Sequence, residues 1–398
     1  MVSSAGPDPG AGRRRALRFI LCLGLVSLFG DMAYEGARGV TGPYLALLGA
    51  GGAAVGLVAG LGEFAGHVLR LASGVAADRT RAYWPLTFLG YGLMLAVPAL
   101  ALVTSWPAAA ACLVLERAGK ALRSPARDAI LAGAAREVGR GTGFGLHEAL
   151  DQVGAVAGPL LLAGVFALGL GYRAGFAVLV VPVGLALLAL WRARAAAPPE
   201  PPRAGAGRPG AAVPTRLGRR FRAYVLFTFF AVLGLANFPL VAYHLGVTGA
   251  VSRTTIPLLY ALAMGVDALA ALAAGRLYDR LGLAVIGGVP VLTAGATALA
   301  FAPGPGAAVT GVVLWGAVMG LHEAVMRAAV ADLAPRWRRG TAYGIFHAVY
   351  GAAWLAGGWT MGALHDAAPG ALAAFAAGAE LLALAAFAAG LRPGQGDG

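Results

Sequence analysis

Three sets of ionisable residues recur at helical spacing inside apolar stretches of this chain. Asp31, Glu35 and Arg38 stand at i, i+4 and i+7, and Glu63, His67 and Arg70 repeat that spacing. Glu116, Lys120, Arg123 and Arg127 do so again, with Arg117 beside them. At 100° per residue each set falls on one helix face. Charges in such surroundings are costly and mark a pathway or a buried pairing network. A carboxylate whose basic partner changes between two conformations takes up and releases a proton, because an opposing base lowers its pKa and desolvation raises it. Fixed cations in the same stripes also suit an anionic ligand. The plain structural alternative is that each acid pairs with a base one or two turns along its own helix, since buried charges are normally paired.

A fourth cluster, His147, Glu148, Asp151 and Gln152, precedes the small-residue run Gly154-Ala155-Val156-Ala157-Gly158-Pro159. Lys120 is the only lysine in the chain. The second half is sparser: Asp267, Glu323, Arg327 and Glu380, with His244, His322 and His347. Phe346, Tyr350 and Trp354 follow i, i+4, i+8, as residues lining a cavity or packing between helices do. His147-Glu148 and His322-Glu323 lack the second histidine four residues on that a zinc hydrolase needs, since Asp151 and Met326 stand there. A transported divalent cation remains compatible with His67, His147 and neighbouring carboxylates. No nucleophile–base pair and no phosphate-binding G-x-x-x-x-G-K-[ST] segment is present, so neither an enzyme nor an ATP-driven pump is expected, and no cofactor or resident metal.

The elements that carry these residues are membrane helices. Of 398 residues 59% are hydrophobic and 12% charged, with a mean hydropathy of +0.74, well outside the range of soluble domains. Apolar stretches of about 20 residues recur throughout, each long enough to cross a bilayer. Twelve spans are expected, centred near Val26, Phe64, Leu93, Leu115, Val156, Val181, Ala231, Leu262, Leu292, Trp315, Gly351 and Leu382. The net charge of +13 resides in short connectors, which is an orientation signal and not a nucleic-acid surface. Alternate connectors carry the arginines, so both termini are expected in the cytoplasm, with Arg173 and Arg253 as exceptions. Arg13–Arg15 and the run after them read as a retained first helix, since no cleavage site follows. Cys22 and Cys112 both lie in apolar segments, so no disulfide framework is expected.

The two halves repeat each other. Gly74, Asp78 and Arg79 recur as Gly275, Asp279 and Arg280; Arg140-Gly141-Thr142 recurs as Arg339-Gly340-Thr341; Gly145, Ala149 and Gly158 recur as Gly344, Ala348 and Gly357. The expected organisation is a tail at 1–15, a six-helix bundle at 16–193, a Pro/Gly/Arg-rich linker at 194–219, a second bundle at 220–391 and a tail at 392–398. A duplicated six-helix unit is transporter architecture, with a site near the midplane between halves.

At these residues the chain resembles the major facilitator superfamily over essentially its whole length. That family carries a G-x-L-x-D-R-x-G loop between its second and third helices. Gly74, Asp78 and Arg79 keep its glycine, aspartate and arginine; Gly275-Arg276-Leu277-Tyr278-Asp279-Arg280-Leu281-Gly282 fits it more fully. The resemblance makes these residues, with Asp128, candidates for a conformational gate. Proton-coupled antiporters of the family also carry G-x-x-x-G-P in the fifth helix, matched by Gly154, Gly158 and Pro159 with Gly145 upstream, and a fourth-helix arginine to which Arg117 corresponds. The family's final double glycine is Leu162-Ala163 here, and the glutamine and glycine after the arginine are Lys120 and Ala121.

The expected fold is therefore an all-α membrane protein of twelve transmembrane helices in two pseudo-symmetric halves, the major facilitator fold, in a bacterial inner membrane. The expected function is proton-coupled export of a small molecule by a monomer, with lipid, protons and substrate as partners and no nucleic acid. Asp31, Glu35 and Glu63 are the proton-site candidates, with Arg38, Arg70 and Lys120 as partners. Uptake of an organic anion by symport or facilitated diffusion, metal export, and a sensor or enzyme on a transporter scaffold are the alternatives.

Overall fold

A chain in lipid satisfies its backbone within each segment, and a helix does so. The computed structural model describes residues 9–197, 218–335 and 338–391, and among these it holds helices and short connections with no strand. In the first half α1 (Pro9–Arg38) resumes beyond Gly39 as a short helix, Thr41–Leu47. There follow α2 (Gly52–Thr80), α3 (Tyr83–Leu102), α4 (Trp106–Ala134), α5 (Arg140–Ala167) and α6 (Tyr172–Ala196). In the second half α7 (Arg219–Leu233) breaks and resumes as Phe238–Val247. Then come α8 (Thr255–Leu281), a 3-10 turn Gly282–Gly288, α9 (Val289–Ala300), α10 (Pro305–Leu333), α11 (Arg339–Ala367) and α12 (Ala371–Gly390). Every expected span centre lies inside one of these helices. The linker expected at 194–219 lies mostly outside the described residues, as does the tail at 392–398. At the other end, α1 begins several residues ahead of Ala16, with Arg13, Arg14 and Arg15 exposed on its first turns.

Nine described stretches are long and apolar enough to cross a membrane, and one of them, Thr255–Ala300, holds both α8 and α9. The remaining rods, α4 and α11, have 29 residues each, ample for a hydrocarbon core of about 30 Å.

The halves pack as copies of one arrangement. In the first, α1 packs on α5 and α6, and α4 on α2 and α3; in the second, α7 packs on α11 and α12, and α10 on α8 and α9. Between halves, α2 lies along α11, α5 meets α8, and the short helices Thr41–Leu47 and Phe238–Val247 pack together. Small residues make these contacts possible, because lipid supplies no hydrophobic drive between helices and close backbone approach must do so. Gly154 and Gly158 of α5 rest on the Leu28 and Met32 carbonyls of α1, where a Cβ would overlap them. Gly357 rests on Leu233 in the matching α11–α7 contact. In the α2–α11 seam, Gly56 faces the Gly358 carbonyl, Gly358 faces that of Gly56, and Gly362 faces that of Gly52.

The repeated loop motif turns differently in its two copies. Arg81 has φ 56° and ψ 20°, a left-handed residue ending α2, whereas Gly282 has φ 58° and ψ −142° after α8. The first conformation is open to an arginine at modest strain; the second is essentially glycine-only. This is why the final glycine of the motif is dispensable in the first copy.

Candidate functional site

The stripes on α1, α2 and α4 converge, and the tightest bridges at their meeting point run between helices. Glu63 Oε1 of α2 is bridged by Arg38 of α1 at 3.0 Å and Arg117 of α4 at 3.1 Å. His67 and Arg70, the bases one and two turns along from Glu63, are not among its bridging partners. Glu116 does follow the same-helix expectation, though loosely, with Arg117 and Arg123 each at 3.9 Å. Arg123 is 2% exposed and straps α4 to α3, 3.5 Å from the Gly90 carbonyl and with its guanidinium 4.7 Å from the Tyr91 ring.

Tyr34 is the residue that sequence reasoning passed over. Its ring lies 3.9 Å from Lys120 Nζ, 4.5 Å from the Arg117 guanidinium and 6.0 Å from that of Arg38, and its hydroxyl accepts from Arg38 at 3.1 Å. An aromatic face attracts cations through its quadrupole, so Tyr34 gathers the positive arm of the network. Its position between Asp31 and Glu35, one turn before Arg38, was the available signal. The opposite charges acting on Lys120 include Asp31 and Glu35, both buried on α1. A small cavity adjoins this network, lined by Tyr34, Arg38, Glu63, Glu116 and Arg117 from the first half and by Asn237 and Pro239 from the second.

Glu35 reaches across to the other half, where the Tyr260 hydroxyl of α8 donates to its Oε2 at 2.5 Å. Tyr260 also packs on Gly39 at the end of α1, and nothing in its apolar sequence surroundings marked it.

A second group sits on the α2–α11 seam. His67 Nδ1 lies 3.2 Å from His347 Nδ1 with the rings stacked, and Tyr350 stands edge-on to His67. Tyr350 also meets His322 of α10, its hydroxyl 3.4 Å from His322 Nδ1, and packs on Trp354 and Phe346. All three aromatic rings of that run are buried between helices. A third group binds α1, α4 and α5: Arg127 donates to Ser27 at 2.7 Å and to Asp128 at 3.0 Å, and Ser27 Oγ meets His147 Nε2 at 2.9 Å. His67 and His147 thus belong to separate packings.

The remaining candidates are dispersed. Asp151 and Gln152 of α5 and Asp267 of α8 each present one buried oxygen without a partner. Glu148 and Glu323 are exposed, and both act electrostatically on Asp267. Arg70 feels Asp128, Arg127 and Arg327. Of the gate candidates, Asp78, Arg79, Asp279 and Arg280 are exposed, Asp78 meets the Tyr83 hydroxyl at 3.5 Å, and Gly74 lies against Pro125 while Gly275 borders open space. Asp128 pairs with Arg127. Gly145 also borders open space, and Pro159 interrupts the α5 hydrogen bonding next to Gly158.

At the face opposite the start of α1 and the end of α12 the halves are tied by Asp366 of α11. Its two carboxylate oxygens accept from the Gly52 and Ala53 amides, at 2.8 and 2.9 Å, capping the start of α2. Beside it, His365 Nε2 lies 2.9 Å from His244 Nδ1.

The sequence profile of the Major Facilitator Superfamily matches residues 20–358. An uncharacterized protein of Mycobacterium tuberculosis is 43% identical over 375 residues, covering 93% of this chain and 92% of its own length. An uncharacterized MFS-type transporter of Methanocaldococcus jannaschii is 27% identical over 356 residues, 85% of this chain and 86% of its own. Among solved structures, the nucleoside transporter NupG superposes with a TM-score of 0.75 at 15% identity, over 93% of this chain and 98% of that one. A bacterial homolog of the human lysosomal transporter Spinster, inward-facing and occupied, superposes at 0.66 with 18% identity, over 93% of each chain. At such identities the likeness is one of fold.

Proposed function

Because the chain belongs to the major facilitator superfamily of membrane transporters, we propose that it is a proton-coupled secondary antiporter exporting a small organic molecule. The observation that carries the coupling is Glu35: a buried carboxylate next in sequence to Tyr34, over whose ring Lys120 lies, and hydrogen-bonded to Tyr260 of the other half. Four cations (Arg38, Arg117, Lys120, Arg123) stand against four carboxylates (Asp31, Glu35, Glu63, Glu116) in this network. A proton on Glu35 leaves one positive charge in excess and weakens the bridge to Tyr260, so proton uptake and separation of the halves favour each other. Glu63, held by two arginines, serves as the fixed element, and alternating access proceeds by rocking of the halves about the midplane.

Export, as opposed to uptake, is supported by the fifth-helix run Gly154, Gly158 and Pro159, which resembles that of antiporters. The cations around Tyr34, beside the cavity, favour a second reading, symport of an organic anion. The deciding measurement uses proteoliposomes under an imposed proton gradient, with a panel of drugs, organic anions and divalent metals. Accumulation of a compound with protons moving the other way supports antiport, and lost coupling in Glu35→Gln supports the assigned residue. Protons moving with the compound would establish symport instead.

A further inference from the structure

The second half is poor in charge, yet α12 carries one ionisable residue, Glu380, only 2% exposed. Neither of its carboxyl oxygens has a hydrogen-bond partner. Among the described residues no charged group is paired with it. α9 has no ionisable residue; the titratable residues of α7 are Arg219, Arg220, Arg222 and Tyr224 near its start and Tyr243 and His244 near its far end, and those of α11, which also packs on α12, are Arg339, Tyr343, His347, Tyr350, His365 and Asp366.

What Glu380 does touch is the break in α7. Its Oε1 lies against Gly234, where a Cβ would overlap it, and Gly234 caps the end of the helix Arg219–Leu233. The last carbonyls of a helix form its negative end. Two donors beside the break are committed to the backbone, whereas Asn237 Nδ2 and the Thr228 and Thr293 hydroxyls are buried without a hydrogen-bond partner and none of them bonds Glu380. Thr297 Oγ1 donates to the Gly234 carbonyl at 3.0 Å and accepts from the Ala236 amide at 3.3 Å, and Trp315 Nε1 donates to the Ala236 carbonyl at 2.8 Å. A carboxylate anion against a helix C-terminus, with no donor bonded to it and no cation paired with it, is the least favourable state open to this group. A neutral carboxylic acid carries no such penalty. The tight fit against Gly234 leaves no ligand shell for a metal ion on that side.

We propose that Glu380 is a proton-binding site built on the α7 break and separate from the first-half network. It holds its proton while α12 lies against Gly234. Losing that proton sets a full charge beside the helix end and drives α12 and the break apart, so occupancy of the site is linked to the bend of α7.

The test is infrared spectroscopy and thermal unfolding of the purified full-length protein, wild type and Glu380→Gln, across pH and in sodium or choline chloride. The expected wild-type spectrum contains a protonated carboxyl C=O band that Glu380→Gln lacks. A folded group that keeps its proton where the unfolded carboxyl, with a pKa of about 4.3, has lost it makes stability fall as pH rises. That fall is expected to be shallower in Glu380→Gln. Should that variant not fold, Glu380→Asp keeps the carboxyl and is expected to shift the band without abolishing it. Stabilisation by sodium in the wild type alone, with no such band, would make this a sodium site and overturn the proposal. A band missing without sodium dependence overturns it too. The band is expected to persist in Glu35→Gln, whose loss of transport coupling is a separate readout; its disappearance there would merge the two sites and refute their independence.

Discussion

The Tyr260 hydroxyl and Glu35 Oε2 lie 2.5 Å apart across the boundary between the two halves. A hydrogen bond to a charged group contributes about 1.5–3 kcal/mol, and this one joins α8 to α1. Tyr260→Phe and Glu35→Gln are each expected to lower the unfolding midpoint, and the double variant to lose clearly less than their sum. A double-mutant cycle on denaturant unfolding measures this; simple additivity would mean that the two residues do not act together.

Glu63 sits between two guanidinium groups. Glu63→Gln leaves Arg38 and Arg117 facing one another without their shared anion, and breaking a buried pair in this way costs about 3–5 kcal/mol. Adding Arg117→Met is expected to recover part of that loss, read from the same unfolding curves. A second substitution that only deepened the loss would argue that Arg117 has another essential partner.

Two glycines of the fifth-helix motif should respond with opposite signs. Gly158 rests on the Met32 carbonyl, whereas Gly145 has open space where a Cβ would go. Gly158→Ala is expected to cost about 1–3 kcal/mol through overpacking. Gly145→Ala, in a helix with room to spare, is expected to gain up to about 1 kcal/mol. Thermal shift of the two purified variants decides it.

Asp366 caps α2 from the opposite half. Asp366→Ala removes that cap, and loss of an N-cap side chain costs about 0.5–2 kcal/mol. Because cap and helix belong to different halves, the variant is also expected to speed thiol labelling of a cysteine placed at Ala53. An unchanged labelling rate would show that the tie does not hold that face closed.

The helices were legible because each needs a long apolar run, and hydropathy reports that directly. The charged faces of α1, α2 and α4 were legible because helical spacing is a property of one segment. Their partners were not. Glu63 had His67 and Arg70 at same-helix spacing and took Arg38 and Arg117 instead, since rotation of α1 and α4 about their own axes decides which side chains meet. Tyr260 lay hidden because a single hydroxyl in an apolar run carries no period. The α7 break did leave a trace, Asn237 followed by Pro239. The Asn237 side chain accepts from the Leu240 amide at 3.0 Å, as a helix-starting residue does.

The α2–α11 seam joins backbone to backbone through Gly56, Gly358 and Gly362. Side chains absorb displacement by changing rotamer, but a carbonyl lying on an α-carbon has no such slack. Sliding along the seam would drive Gly358 into a neighbour that bears a Cβ, and pulling it apart would leave backbone without its packing. Turning about its length does neither. The least bulky residues in the protein would thus favour turning about the seam over sliding or separation in any relative movement of the halves. Volume added at Gly56 would act there as a wedge, setting the angle at which the bundles rest.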